Sequence, residues 1–240
     1  IGARSDLENV PIDRLKAFYK MYYQPDNATL IIAGKFLEAD MIDLVDKYFS
    51  PIPKPERVIR PLYTAEPAQD GEKSVTIRRV GDVKMTGAAY HIPAGSHEDY
   101  AAIDVLSQIL GDTPSGRLHK SLVEGKLASR VYGFNFQWQE PGLAIYFAEV
   151  DKKADLNSAS DAMVTVLEEL DTQPITDEEV ERSKRTLLKN IELSFNSSER
   201  IALNLSEWLG MGDWRLYFLH RDRIENVSTA DVQRVANTYL

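Results

Sequence analysis

Cysteine is absent from the 240 residues of this chain. Its absence excludes disulfides, thiol catalysis and Cys-ligated zinc. No apolar run approaches the roughly 20 residues that a membrane helix needs, so no membrane partner is expected. The net charge of −9 argues against a nucleic-acid partner, which would require a basic face. The chain opens without Met or a signal-peptide pattern, as expected of a mature or excised segment.

Recognised catalytic motifs are lacking as well. The histidines are His91, His97, His119 and His220. A zinc site needs three or four converging ligands, and Ala101 stands where a motif H-E-x-x-H beginning at His97 would need its second His. Ser115 lies in a turn without the G-x-S-x-G pattern, where a capping role is expected. We therefore predict no catalytic, no cofactor-binding and no metal-ligating residues in this chain.

Two other clusters have structural interpretations. The acidic residues Asp177, Glu178, Glu179 and Glu181 are expected to complement the dipole at the start of a helix. The aromatic residues Trp208, Trp214, Tyr217 and Phe218 are expected to pack in a core or an interface. A peptide-binding groove at these aromatic residues is the alternative.

The first 72 residues contain helices, one strand and a linker. Apolar spacing predicts helices over 11–23 and 41–49, and the run Leu30-Ile31-Ile32 predicts a buried strand over 28–33. Five of the eleven prolines lie between 51 and 72. We therefore predict a domain boundary there, with residues 1–50 before an extended linker of residues 51–72.

Residues 73–240 predict an α+β domain. Alternating apolar residues predict strands near 74–80, 83–92, 129–138 and 143–150, which are expected to pair in one mainly antiparallel sheet backed by helices. Helices are predicted over 98–110, 117–124, 156–170, 176–195, 201–208, 214–223 and from 228 to the end. Thr176 with Glu179 and Ser228 with Asp231 are capping boxes that begin two of them. The helix from Thr176 is expected to cover one face of the sheet.

A weak internal repeat links the two ends of the chain. Asn9-Val10 matches Asn226-Val227, an offset of 217 residues. At the same offset the apolar positions Leu15, Phe18 and Tyr22 match Val232, Val235 and Tyr239. A coincidence between two amphipathic helices would look the same.

Several motifs in the correct order resemble the pitrilysin/insulinase family of zinc metallopeptidases. Residues 22–30 read YYQPDNATL, and residues 116–131 read GRLHKSLVEGKLASRV. These segments resemble the family's Tyr-Tyr-x-Pro-x-Asn-Ala-Thr segment and its S-R-L-x-x-x-L-V/R-E-x-x-L-A-x-x-V pattern. The resemblance covers almost the whole chain and implies that residues 1–50 are the C-terminal remnant of a preceding homologous domain. Residues 73–240 would then be a second, non-catalytic domain.

The family resemblance also shows what this chain does not carry. The inverted zinc motif H-x-x-E-H occurs nowhere in the sequence, so the zinc of the parent family has no ligands here. Many family members bind substrate backbone through an Arg and a Tyr in the later domain. Their positions correspond to Leu122 and Ser129, which lack the required groups, and Arg130 is one residue out of register. The chain alone is therefore predicted to be inactive.

Three functional hypotheses follow. The first is a non-catalytic segment of a zinc metalloendopeptidase that contributes chamber wall and peptide-substrate scaffold, with a homologous peptidase domain or subunit as partner. The second is an inactive homologue that acts as a structural or partner subunit of a peptidase complex. The third is an unrelated α+β binding module. Resemblance to bacterial members favours the periplasm over the cytoplasm.

The strand over 28–33 has no sheet of its own in the predicted layout. The repeat implies one more strand in the second domain's sheet, and residues 28–33 are expected to fill that position. Pairing within one chain or exchange between two chains would satisfy the strand's backbone groups. Exchange would make the protein a homodimer.

Overall fold

The computed structural model of this protein describes residues 3–61 and 67–240. The chain divides into two compact units, Ile1–Ile77 and Arg78–Leu240. The sequence limits of 1–50, 51–72 and 73–240 remain predictions, and the predicted linker includes residues 62–66, which lie outside the described part of the chain.

The first unit contains short helices. They are α1 (Arg4–Asn9), α2 (Ile12–Tyr22) and α3 (Glu38–Phe49), with a single 3₁₀ turn at Pro25–Asn27. The guanidinium of Arg57 donates to both carboxylate oxygens of Asp26, at 2.7 and 2.9 Å, and lowers the pKa of that carboxyl. None of these three helices has a buried residue.

The strand predicted over residues 28–33 is wrong. These residues form no strand, so their predicted pairing with the second domain's sheet within one chain is wrong as well. An apolar run indicates that its side chains tend to be buried. It does not show that a neighbouring strand is present to pair with the backbone N–H and C=O groups, which a β-strand requires. Exchange of this segment between two chains stays a prediction.

The second unit contains the sheet. Its strands are β1 (Val83–Ile92), β2 (Arg130–Asn135) and β3 (Gly142–Asp151). They pair antiparallel in the order β1-β3-β2, with Val83 opposite Asp151 and Arg130 opposite Glu149. The α+β class and the antiparallel sheet are as predicted. The strand predicted near 74–80 is wrong, because this segment joins no ladder and leaves its apolar side chains exposed.

Six helices and one π-helical turn, His119–Glu124, accompany the sheet. The helices are α4 (Tyr100–Gly111), α5 (Leu156–Glu168), α6 (Asp177–Ser194), α7 (Ser198–Gly210), α8 (Leu216–Asn226) and α9 (Thr229–Tyr239). Both predicted capping boxes are present, at the starts of α6 and α9. Each satisfies backbone N–H groups that a helix leaves unpaired at its first turn.

The helices that pack most extensively against the sheet are α4 and α5. Helix α4 packs against β2, and α5 packs against β1 and β3. Helix α6 instead lies chiefly against α4 and α8, so its predicted position on the sheet face is wrong. The apolar stripe of α6 must pack against another element, but α4 and α5 already cover the buried face of the sheet. Helical periodicity shows that a helix has an apolar face and does not show which element packs against that face.

A partly buried ion pair joins the residues just before the π-helical turn to α6. Arg117 donates to both oxygens of Glu179 at 2.7 Å and also to the carbonyl oxygens of Gln173 and Pro174. Burial opposes ionisation of Glu179, but the hydrogen bonds from Arg117 and Thr176 outweigh it and lower the pKa to about 2. Arg117 therefore has a structural role in the segment that resembles the family pattern.

The internal repeat recurs in the helices. Helices α2 and α9 are both 11 residues long and begin 217 residues apart, at Ile12 and Thr229. Helices α1 and α8 end at the same offset, at Asn9 and Asn226. The repeated unit is therefore a pair of helices joined by a short turn, α1 with α2 in the first unit and α8 with α9 in the second.

Replacing Glu179 with Gln should destabilise the protein by about 2 kcal/mol at pH 7, because Arg117 would lose its charged partner in a partly buried place. The folded-state pKa of Glu179 lies below its ordinary value of 4.5, so its contribution is complete above pH 4.5 and is lost as the pH falls toward 2. Urea unfolding at pH 7 and at pH 3 measures both effects. Glu181→Gln is the control, since that carboxylate is largely exposed and its pair with Lys184 should contribute only tenths of a kcal/mol. An equal loss in the two variants, or a loss that does not shrink at pH 3, would contradict the assignment.

A fragment of residues 78–240 should unfold cooperatively by itself, with a urea midpoint close to that of the whole chain. Every buried hydrophobic residue of the described part of the chain lies between Ile92 and Ala236, within this fragment. A fragment of residues 1–77 should show no cooperative transition, because it has no core of its own. Circular dichroism during urea titration tests both. Loss of the transition in the longer fragment would mean that the first unit stabilises the second.

Candidate functional site

Helices bury one face of the sheet and leave the other face partly exposed. Along β3, the residues at 144, 146, 148 and 150 are buried beneath the helices, while the alternate residues are partly exposed. The partly exposed set is mostly apolar and includes Ile145 and Phe147, with Met85 exposed beside them on β1. One face of the sheet is therefore core and the other is an accessible apolar surface.

Aromatic side chains follow one another along this open face. The ring centroid of Tyr132 lies 5.6 Å from that of Phe147. Phe134 meets Phe136 edge-on at 5.1 Å, and Phe136 stacks on Trp138 at 4.9 Å. These residues are two apart along the chain, the spacing that places side chains on one face of a strand.

The outer edge of β2 carries unpaired backbone groups. The N–H of Phe136 donates to the carbonyl of Leu143 at 2.8 Å, toward β3. Hydrogen bonds of an antiparallel ladder alternate along a strand, so the N–H and C=O groups of Val131, Gly133 and Asn135 point away from β3. They have no backbone partner within the described residues. Such an edge is a template for a further strand.

A groove of about 550 Å³ runs along this edge. One wall is β2 itself, and the other is formed by α4 and the loop after it, with Leu187 of α6 at one side. The α4 side is polar, with Asp104, Ser107 and Gln108. The groove therefore combines unpaired backbone with a polar wall and an apolar sheet face.

Two glycines allow α4 to lie directly on β2. A Cβ on Gly111 would come within 3.0 Å of the backbone of Gly133, and a Cβ on Gly133 would lie 2.5 Å from the ring of Tyr146. A contact of 2.5 Å is closer than real Cβ atoms come to other heavy atoms, and one of 3.0 Å is tighter than most. The missing side chain of Gly111 lets the end of α4 lie on the backbone of Gly133, and the missing side chain of Gly133 leaves room for the ring of Tyr146 beneath the groove.

A hydrogen-bonded chain lies at the Asn135 end of the groove. The side-chain amide of Asn135 donates to Oδ1 of Asp104 at 2.9 Å, and Nε2 of His220 lies 2.9 Å from Oδ2 of the same carboxylate. His220 is buried, with its ring 4.9 Å from that of Trp208. Oδ1 of Asn135 has no hydrogen-bond partner among the described residues. This end of the groove thus contains the Asp104 carboxylate and, among the described residues, an unsatisfied acceptor on Asn135.

A larger concavity of about 860 Å³ lies between the π-helical turn, the end of α5 and the start of α6. Its most buried charges, Arg117 and Glu179, are bonded to each other. These groups hold the fold together and leave little for a ligand, so the groove along β2 is the better candidate site.

The histidines that the sequence analysis weighed as zinc ligands, and did not predict to be ligands, do not converge. His91 lies on β1, His97 follows that strand, His119 begins the π-helical turn and His220 is in α8. Within residues 3–61 and 67–240 no group of three or more His, Asp or Glu side chains could hold a metal ion. These residues do not fit the zinc that the family resemblance implies. Ser115 donates to Asp112 within its turn.

The positions that correspond to the substrate-binding Arg and Tyr are structural. Leu122 is fully buried in the core. Ser129 precedes β2, and its N–H and hydroxyl both donate to the carbonyl of Glu149. Arg130 lies over the ring of Tyr132, 5.6 Å from its centroid, on the open face of the sheet.

The aromatic residues near the C-terminus mainly form a small second core. Trp208 and Tyr217 are buried with Met211, and the Tyr217 hydroxyl is 2.7 Å from that of Ser194. Trp214 stays about half exposed, at 47%. Packing was the expected role for these residues. The acidic residue Glu179 belongs to a capping box, as its position at a helix start indicated.

Sequence reasoning missed the residues of the groove. Asp104 and Asn135 are 31 residues apart, in a helix and a strand whose contact no local pattern reveals. The pair of small residues Gly111 and Gly133 was the one available signal, since glycine within or beside regular elements often marks a close backbone approach.

No described helix is long and apolar enough to span a membrane.

The comparisons with known proteins agree with this structure. The family model "Peptidase M16 inactive domain" matches residues 9–187. The zinc protease PqqE of Helicobacter pylori is 28% identical over 243 residues, which cover 100% of this chain and 55% of that protein. The chain therefore spans about half the length of this relative.

Two crystal structures are also similar. A protease from Helicobacter pylori superposes with a TM-score of 0.93 at 27% identity, over 99% of this chain and 58% of the other. An inactive peptidase domain of a zinc protease from Bordetella parapertussis is 40% identical with a TM-score of 0.63, over 69% of this chain and 90% of the other. Together with the motifs and the fold, these matches confirm the resemblance, and the chain belongs to the M16 family of zinc peptidases, in the part of those proteins known as the inactive domain.

Proposed function

We propose that the second unit holds extended peptide segments as an added strand along the outer edge of β2, as a non-catalytic wall and substrate scaffold of a zinc endopeptidase. The observation that carries this proposal is the row of outward backbone groups at Val131, Gly133 and Asn135 beside an open groove. Addition of a strand to an exposed sheet edge is a recurring mode of peptide recognition.

The chemistry of this site suits a peptidase that accepts varied substrates. Backbone hydrogen bonds are the same for every residue type, so they hold a peptide without selecting a narrow sequence. The aromatic row on the open face adds apolar contact for alternate side chains of the peptide. The chain offers no ligand set for zinc among its described residues, so the cleaving group belongs to a homologous domain or subunit under this proposal.

An extended ten-residue peptide of alternating Thr and Val should bind this chain, and N-methylation at alternate positions should reveal the added strand. Only every second N–H of an added strand faces β2. Methylation of that set should weaken binding by about tenfold or more, through lost hydrogen bonds and steric clash. Methylation of the other set is the matched control and should change affinity little. Fluorescence anisotropy with labelled peptides measures all three affinities.

Equal affinities for the two methylated peptides would contradict strand addition. The bound peptide should also remain intact by mass spectrometry, with or without added zinc. Chelator-sensitive cleavage would show that the chain has a catalytic centre of its own and would overturn the non-catalytic role.

We further propose that the first unit completes a preceding homologous domain, and the equivalence of α2 and α9 supports this. In α9 the face with Val232 and Val235 is fully buried against the core of the second unit. The equivalent residues of α2, Leu15 and Phe18, are 49% and 58% exposed. A face that is core in one copy of a repeat is expected to be core in the other, so the partner of α2 would be a helix and strand layer like that of α4 and β1.

A catalytic M16 domain truncated before its own counterparts of α2 and α3 should therefore bind this chain. Phe18→Glu should weaken that binding at least tenfold, because it places a charge in the proposed interface. Lys20→Glu, on the opposite face of α2, is the control and should leave binding unchanged. Sedimentation of the mixed proteins measures the complex. Equal binding of both variants would contradict the proposal.

A further inference from the structure

We propose that the groove along β2 selects peptides that carry Lys or Arg at positions directed toward α4, with Asp104 as the residue that recognises the cation. This inference rests on the proposed strand addition and specifies which peptides that site prefers.

The first step is the direction of the peptide's side chains. Residues of an added strand share faces with the residues of β2 beside them. Side chains beside Val131, Gly133 and Asn135 would therefore point to the α4 side, and side chains beside Tyr132 and Phe134 would lie on the open face. The two sets of peptide side chains meet different surfaces.

The second step is the charge of the α4 side. Asp104 lines the groove, and its side chain is 23% exposed, so it lies partly out of water but within reach of a ligand. Asp112 also lines the groove beyond Gly111. The basic residue of the lining, Arg130, belongs to the open face, where its guanidinium lies over Tyr132. The α4 side is thus acidic.

The third step is the unsatisfied acceptor. Oδ1 of Asn135 has no hydrogen-bond partner in the part of the chain that the structure describes, whereas its amide nitrogen donates to Asp104. A buried acceptor without a donor is costly and calls for an explanation. An ammonium or guanidinium group beside Asp104 would supply the donor and a charge for the carboxylate at the same time. His220 already bonds the other carboxylate oxygen and so holds Asp104 in place.

The open face has the opposite preference. Tyr132 and Phe134 offer ring surface to the alternate side chains of the peptide, which favours apolar and aromatic residues there. The preferred peptide therefore alternates basic or polar residues with apolar ones. A Lys whose side chain lies on the open face would make no contact with Asp104.

The experiment scans one Lys through the Thr–Val decapeptide, with Gln at the same position as the reference. Where the side chain faces α4, which is every second position, the Lys peptide should bind about five- to tenfold more tightly than the Gln peptide. At the alternate positions, whose side chains lie on the open face, Lys should give no gain in affinity. A peptide with Glu at a position that faces α4 should bind more weakly than the peptide with Gln at that position. These comparisons use the unaltered protein, so they do not depend on the folding of any variant.

Variants then identify the recognising group. Asp104→Asn should reduce the Lys-to-Gln affinity ratio to near one while the Gln peptide still binds. Asp161→Asn removes the same charge from an exposed position of α5 and should retain the ratio. A preserved ratio in Asp104→Asn would overturn the role of Asp104.

The remaining outcomes separate this inference from the proposed function. Binding of every peptide with equal affinity would overturn the cation preference and leave strand addition standing. Failure of all peptides to bind would overturn strand addition itself. If sedimentation shows a dimer that peptides displace, the edge of β2 belongs to a second copy of this chain, which would also overturn the proposed selection of basic peptides.

Discussion

The close approach of α4 to the edge of β2 is the constraint on which the site depends. It is possible because Gly111 and Gly133 have no side chains where the helix and the strand meet. The contact covers one face of the sheet, aligns Asp104 with Asn135 and leaves the outer backbone groups of β2 beside an open groove. A larger residue at either position would separate the two elements or displace Tyr146, and the geometry of the groove would change with them.

Two positions that the family resemblance associates with substrate binding have structural roles in this chain. Where many members place a substrate-binding Arg and Tyr, this chain has a core leucine, Leu122, and a serine that caps the start of β2. Arg117 and Glu179, the most strongly paired charges near the family-like segment, join two elements. These residues serve the stability of the domain. Under the proposed function, the outward backbone groups of β2 and the polar wall opposite to them hold a peptide.

Local patterns predicted the elements well and their partners poorly. The strand Val83–Ile92 and both capping boxes follow from alternation and from side chains that reach the nearest backbone N–H groups. The strands expected at 28–33 and 74–80 were wrong, because an apolar or alternating run does not reveal whether a neighbouring strand is present. The position of α6 was wrong for the same reason, since its stripe could match a helix or a sheet. The groove could not be predicted, because Asp104 and Asn135 come together only through tertiary contact. The motifs of residues 22–30 and 116–131 carried the family assignment, which the comparisons confirmed.

Amide hydrogen exchange, followed residue by residue by NMR, tests the central claim most directly. In the free protein the amides of Val131, Gly133 and Asn135 should exchange faster than those of Tyr132 and Phe134, which are directed toward β3. Saturation with an extended peptide should slow exchange at the outward amides and leave the inward ones nearly unchanged. Protection that is absent from this edge, or that arises at another surface of the domain, would contradict the assignment of the β2 groove as the peptide-binding site.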